Sequence, residues 1–162
     1  MTWESELRKW LKGCTKLAVL GIGNPLRGDD AVGLEILRLL NGKVPHNVRL
    51  IESETTPENF IDEVERFKPS HVLLLDAASF KSKAGAVRLV PTESITGMAV
   101  STHALPLSIF IEVIQKSVKA KVQLLGVQPK AVDFVEGLSP DVEKIAKDVA
   151  EALVTVLAKV CG

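Results

Sequence analysis

The chain has 162 residues, 46% hydrophobic and 25% charged, a balance typical of one globular domain with a core of its own. Twenty basic residues equal twenty acidic ones, so the chain lacks the basic excess of a nucleic-acid-binding protein, and we expect no nucleic-acid partner. No apolar run approaches the roughly 18 residues of a membrane span, and we expect no membrane insertion.

The N-terminal segment predicts a short amphipathic helix rather than a signal peptide. It reads MTWESELRKWLKG, in which charged residues are mixed with apolar ones, and Leu7 and Leu11 lie one helical turn apart. We therefore predict a helix over roughly residues 2–12, as an extension of a single domain spanning residues 1–162. Without a signal peptide, the protein is expected to be cytoplasmic.

The rest of the chain alternates short apolar runs with helical patterns. Strands are predicted at residues 16–22, 48–51, 71–76, 86–90 and 122–127. Helices are predicted at residues 31–40, 57–67, 105–118 and 142–160. The fourth run follows the third with no room for a helix, so it is predicted to lie antiparallel at a sheet edge. We expect an α/β fold of three αβα layers, with a twisted, mostly parallel five-stranded sheet and helices on both faces.

The segment GIGNPLRGDD follows the first predicted strand and suggests a phosphate-binding loop at first sight. A dinucleotide fingerprint requires glycine at its sixth position, where this chain has Leu26, and no Gly-Lys-Ser/Thr of a P-loop is present. Asp29 and Asp30 would also repel an anion at the start of the next helix. The sequence therefore disfavours nucleotide binding.

Two other uses of these aspartates are open. One of them is expected to cap the helix that begins near Ala31, by accepting bonds from its free amides. The other use is a site, because ligands of open parallel sheets bind beyond the carboxyl ends of the strands. Asp76 ends the third predicted strand and His103 precedes the fourth predicted helix. If these two converge with Asp30, they form a set that binds a divalent transition metal. Taken singly, Asp76 is more typical of a cap or loop residue, and His103 of a solvent-exposed or cap-region histidine.

The series of motifs resembles the hydrogenase maturation endopeptidases, cytoplasmic proteases that remove a C-terminal extension from the precursor of the nickel–iron hydrogenase large subunit. The matching segments occur in the family's order between about residues 16 and 160. They are Gly21-Ile22-Gly23-Asn24, Gly28-Asp29-Asp30 with Gly33, Thr56-Pro57-Glu58-Asn59, Leu75-Asp76-Ala77, Thr102-His103 with Pro106-Leu107, and Gly126-Val127-Gln128-Pro129. The PEN and GVQP segments are most similar to the branch that processes hydrogenase 3, the formate-hydrogenlyase type.

The resemblance implies that Asp30, Asp76 and His103 are the metal-binding and catalytic positions. The metal it implies is nickel, carried by the large-subunit precursor as substrate, and another divalent ion is the alternative. Either the three side chains complete the coordination of that nickel, or they hold a permanent zinc-like ion, or an aspartate is the general base for water. A covalent route is not expected, because no GxSxG is present and both cysteines lie near the chain ends. The alternative function is a non-catalytic, nickel-dependent checkpoint, and we expect a monomer.

Overall fold

A computed structural model describes residues 2–95, 99–100 and 106–160 and has the predicted α/β architecture. Its helices are α1 (Trp3–Trp10), α2 (Val32–Leu40), α3 (Ile61–Phe67), α4 (Leu107–Ser117) and α5 (Pro140–Val160). Its strands are β1 (Leu17–Ile22), β2 (Val48–Glu54), β3 (His71–Ser79), β4 (Val87–Pro91), β5 (Ala99–Val100) and β6 (Lys121–Val127). Three short 3₁₀ turns cover Gly28–Ala31, Pro57–Phe60 and Thr92–Ser94.

The main sheet has five strands in the order β2-β1-β3-β6-β4. The neighbours β2, β1, β3 and β6 run parallel, whereas β4 pairs antiparallel with β6 at the edge. The prediction of a mostly parallel sheet with one antiparallel edge strand is confirmed. The two-residue strand β5, which was not predicted, pairs antiparallel with the end of β3, outside the main order.

Helices cover both faces of the sheet, because successive strand residues point to opposite sides. In β1, Leu17 and Val19 face one buried cluster, which also contains residues of α1, α2 and α5. Ala18 and Leu20 face the other cluster, which contains residues of α3 and α4. The strand is therefore apolar throughout, as expected for a strand covered on both sides, and the three αβα layers are confirmed.

The N-terminal helix is part of this packing. Leu7 and Leu11 are fully buried and belong to the same cluster as residues of α5. Among the described residues, no helix is both long and apolar enough to cross a membrane.

Several predicted elements have other bounds in the structure. The second strand, predicted at residues 48–51, continues to Glu54. The helix predicted at residues 57–67 begins instead as a 3₁₀ turn led by Pro57, and becomes α-helical at Ile61. The third strand continues past its predicted end to Ser79, because β6 pairs with it as far as Ala77 and β5 pairs with Ala78 and Ser79. Asp76 therefore lies inside β3 rather than in a loop that follows it.

Candidate functional site at the carboxyl edge of the sheet

The loop after β1 folds back onto the turn that carries Asp30. A Cβ atom built on Gly23 would lie only 2.0 Å from the carbonyl oxygen of Asp30, so only glycine permits this approach. The amide of Asn24 donates to the Asp30 carboxylate at 2.9 Å, and the amide of Leu26 donates to the side-chain oxygen of Asn24 at 2.9 Å. The glycine and asparagine of the GIGN segment thus orient the carboxylate of Asp30, which is buried.

The first turn of α2 lies directly on the ends of two strands. A Cβ atom on Gly33 would come within 2.2 Å of the carbonyl oxygen of Leu75 in β3 and within 2.6 Å of that of Ile22 in β1. The helix can approach so closely only because this position has no side chain. As a result, the turn that carries Asp30 contacts β3, and the β3 residue that Gly33 approaches, Leu75, directly precedes Asp76.

Asp76 lies at the point where the sheet narrows. Pairing between β1 and β3 ends at Gly21 and Leu75, whereas β3 stays paired with β6, where Asp76 is opposite Gly126. One carboxylate oxygen of Asp76 accepts a hydrogen bond from the amide of Ala77 at 2.8 Å, and its side chain is buried. Asp30 and Asp76 are therefore two buried carboxylates at the same carboxyl edge of the sheet.

The third predicted residue, His103, lies outside the described residues. Within residues 2–95, 99–100 and 106–160, no group of three or more His, Cys, Asp or Glu side chains is placed to hold a metal ion. The structure brings Asp30 and Asp76 to one edge, and the convergence of all three residues stays a prediction.

Two buried carboxylates at one edge favour a cation or a proton as their partner. Burial penalises a carboxylate unless hydrogen bonds or a positive charge compensate it. Carboxylate oxygens together with an imidazole nitrogen are a donor set that divalent transition metals accept. The residues present therefore fit the coordination of a metal ion or the handling of a proton on an attacking water.

Asp29 has a different role from that predicted for the aspartate pair. Neither the 3₁₀ turn nor α2 has a side-chain cap, and the Asp29 carboxylate instead accepts bonds from a distant loop. Its donors are the amides of Lys130, Ala131 and Ser139 and the hydroxyl of Ser139, at 2.7 to 3.0 Å. The prediction that an aspartate of this pair caps the helix is wrong for Asp29, because these long-range donors occupy its oxygens.

The pKa of Asp29 reflects the same contacts. Burial acts to raise the pKa, but the donors of Ser139, Ala131 and Lys130 together hold it below its ordinary value. Asp29 is therefore an ionised, fully buried anchor for the segment around residues 130–139, a role that sequence reasoning missed.

Gln128 and Glu58, which belong to two other segments of the motif series, have different environments. The side-chain oxygen of Gln128 accepts hydrogen bonds from the amides of Phe80 and Ser82, which ties the connection between β3 and β4 to the end of β6. In the 3₁₀ turn after β2, the Oε2 atom of Glu58 is buried and has no hydrogen-bond partner among the described residues. The histidine of β3, His71, is at the opposite end of the sheet, level with Leu17.

Comparison with known proteins identifies the family. The family model described as hydrogenase maturation protease, HycI, matches residues 35–156. A Methanocaldococcus jannaschii protein assigned to the hydrogenase maturation proteases is 35% identical over 155 residues, covering 91% of each chain. The Hydrogenase 3 maturation protease of Escherichia coli is 26% identical over 136 residues, covering 83% of this chain and 86% of the relative.

The fold agrees with these relationships. The crystal structure of the [NiFe] hydrogenase maturation protease HycI from Thermococcus kodakarensis superimposes with a TM-score of 0.87 at 30% identity, covering 94% of this chain and 99% of that one. The chain therefore belongs to the hydrogenase maturation proteases, a family of endopeptidases.

Proposed function

We propose that this protein removes the C-terminal extension of a nickel–iron hydrogenase large-subunit precursor after nickel has been inserted, in the cytoplasm and as a monomer. The observation that carries the proposal is the burial of two carboxylates, Asp30 and Asp76, at one carboxyl edge of the sheet. The PEN and GVQP segments support a precursor of the hydrogenase 3 type.

In this proposal, Asp30, Asp76 and His103 recognise nickel that belongs to the substrate. The two carboxylates supply negative charge in a water-poor setting, where the attraction for a divalent cation is stronger than in bulk water. The loop amide of Asn24 and the strand amide of Ala77 hold the carboxylates in place before the substrate arrives. A precursor that lacks nickel would lack the cation that these carboxylates attract and would bind more weakly.

The test is a cleavage assay with purified precursor, with and without inserted nickel, in which the C-terminus is read by mass spectrometry. Cleavage of the nickel-loaded form alone supports the proposal. Cleavage of both forms retains the endopeptidase but contradicts nickel recognition. Tight binding without cleavage, by a folded protein, favours the alternative of a non-catalytic nickel-dependent checkpoint.

Variants connect the result to the site. Asp76→Asn and His103→Ala should abolish cleavage of the nickel-loaded precursor without unfolding the protein. The matched control is Asp148→Asn, an exposed aspartate of α5, which should cleave as the wild type does. If Asp76→Asn cleaves normally, the assignment of the site is wrong.

A further inference from the structure

An exposed apolar surface lies beside the loop that carries Asp30. It consists of Leu26, Val132, Phe134 and Val135, whose exposed fractions are 56%, 39%, 81% and 53%, and we call it the Phe134 surface. Among the described residues, only Ile109 and Val113 of α4 are other large apolar side chains exposed to a similar degree. Clustered exposure of this kind is typical of interaction sites, whereas single exposed apolar residues are common.

The residues of the Phe134 surface are held together by contacts between the two loops. The amide of Gly28 donates to the carbonyl of Val135 at 2.7 Å, and Nε of Arg27 donates to the carbonyl of Val132 at 3.2 Å. The guanidinium of Arg27 also lies over the ring of Phe134, 5.2 Å from its centre. The exposed ring is therefore positioned by a neighbouring cation.

The buried carboxylate of Asp29 fixes this arrangement from below. It binds both ends of the loop, through Ala131 at one end and Ser139 at the other. These hydrogen bonds hold the loop in one conformation, so that its apolar side chains are exposed in one arrangement. A preorganised surface of this kind loses less conformational entropy on binding.

The Phe134 surface is continuous with the candidate site along the chain. Leu26 and Arg27 belong to the surface and its support, Asp29 anchors it, and Asp30 is the next residue. Because Gly28 of the same turn donates to the carbonyl of Val135, the Phe134 surface lies beside the turn that carries Asp30. In the proposed function the molecule that binds at Asp30 is a protein. A stable protein complex needs a contact of about 800 Å² per partner, far more than Asp30, Asp76 and His103 alone provide.

We infer that the Phe134 surface docks the hydrogenase large-subunit precursor through an apolar patch beside its C-terminal extension. The inference rests on the proposed function and adds to it the surface on which the substrate binds. The exposed charged residues Asp133 and Glu136 flank the apolar side chains, in the pattern of an apolar centre with a polar rim. Phe134 is the expected anchor, since aromatic side chains dominate the binding energy of such interfaces.

The experiment measures steady-state cleavage of the nickel-loaded precursor by wild-type protein, Phe134→Ser and Val135→Ser. The matched control is Val113→Ser, which removes an exposed apolar side chain from α4, away from this surface. Phe134→Ser should raise KM about tenfold or more, as loss of an interface anchor does, with kcat within about twofold of wild type. Val113→Ser should leave both constants unchanged, and thermal unfolding should show that all variants are folded.

Three results would overturn the inference. An unchanged KM for both surface variants would show that the precursor does not dock there. A lower kcat with unchanged KM would assign the loop to positioning of the site instead. A wild-type dimer in sedimentation that Phe134→Ser converts to a monomer, without a change in KM, would make the surface a contact between two copies of this chain.

Failure of the proposed function is distinguishable from failure of this inference. If the wild type binds the precursor but does not cleave it, the affinity of each variant for the precursor is measured by sedimentation. Weaker binding by Phe134→Ser and Val135→Ser, but not by Val113→Ser, would then support docking on this surface, and binding equal to that of the wild type would overturn it. If the wild type neither cleaves nor binds the precursor, both the function and the docking surface are wrong.

Discussion

The carboxylate of Asp29 accepts a hydrogen bond at 2.8 Å from the hydroxyl of Ser139, 110 positions further along the chain. The same carboxylate also accepts hydrogen bonds from the amides of Lys130, Ala131 and Ser139, so it has four donors in all. The neighbouring residue, Asp30, faces a different environment and is held by the amide of Asn24. Two adjacent aspartates thus have separate roles, one as a structural anchor and one at the candidate site.

Asp29→Asn should destabilise the protein. The variant removes the charge and turns an amide NH₂ toward groups that are themselves donors, so buried amides lose their acceptor. We expect the free energy of unfolding to fall by about 2–4 kcal/mol, measured by urea denaturation, since several charge-assisted hydrogen bonds are weakened together. The control is Asp133→Asn in the same loop, which is exposed and should change the free energy of unfolding by less than about 0.5 kcal/mol. Equal stability of Asp29→Asn and wild type would contradict the anchor role.

The same carboxylate should contribute to acid denaturation. The pKa of Asp29 in the folded state lies below its ordinary value, so the unfolded chain takes up the proton first as the pH falls. The stabilisation by Asp29 is therefore complete above the unfolded pKa of about 3.9 and is lost as the pH falls toward the folded pKa. Urea denaturation between pH 5 and pH 3 should show a steeper loss of stability in wild type than in Asp29→Asn. Parallel curves would show that Asp29 does not titrate with folding.

Asp30→Asn should separate activity from stability. Asparagine retains an oxygen that can accept the bond from Asn24, but it removes the negative charge that the proposed function requires at the sheet edge. Cleavage of nickel-loaded precursor should fall by about 10²- to 10⁴-fold, the range seen when a charged catalytic group is removed. Thermal unfolding should stay close to wild type, because a neutral amide is easier to bury than a carboxylate. A variant that unfolds would instead assign Asp30 a structural role.

Gly33→Ala tests the close contact between α2 and the sheet. The new Cβ atom would overlap the carbonyl oxygen of Leu75, which is backbone and cannot rotate away. We expect a loss of about 3 kcal/mol or more in the free energy of unfolding, at the upper end of overpacking effects. Gly13→Ala is the comparison, because Gly13 has a positive φ of 84° but no atom within 4 Å of the built Cβ. It should cost only about 1 kcal/mol of backbone strain. A similar loss in both variants would mean that the contact at Gly33 is not the cause.

His71 predicts a second pH dependence, at mild acidity. Burial lowers the pKa of this histidine, the carbonyl of Trp10 acts to raise it, and the charge of Lys121 lowers it further, with a net decrease. The unfolded chain therefore binds the proton first, so the stabilisation is complete above about pH 6.5 and is lost as the pH falls below it. Unfolding free energies between pH 7.5 and pH 5 should fall in wild type by up to about 1.4 kcal/mol per pH unit more than in His71→Gln. Parallel curves for wild type and His71→Gln would show that His71 does not titrate with folding.

Much of the fold is readable from local patterns. The apolar runs of β1 and β3 and the helical spacing of α5 predict those elements, since burial on both faces of a strand or along one face of a helix leaves a periodic pattern. The short connection between β3 and β4 predicts the antiparallel edge strand. The exact ends are not readable in this way. The strand β3 reaches Ser79 because β6 pairs with it to Ala77 and β5 pairs with its last two residues, and pairing is a property of two strands.

The candidate site shows the same division. The sequence alone places Asp30 and Asp76 at carboxyl ends of strands, and parallel packing then requires these ends to share one edge. It also indicates the family, because the order of the motifs is carried by the chain itself. The separate role of Asp29, the close contact of Gly33 with Leu75 and the Phe134 surface depend on pairs of groups from about 40 to 110 positions apart. Only the tertiary structure decides these features, because hydrogen bonds and steric contacts depend on distance in space, and local sequence patterns do not record it.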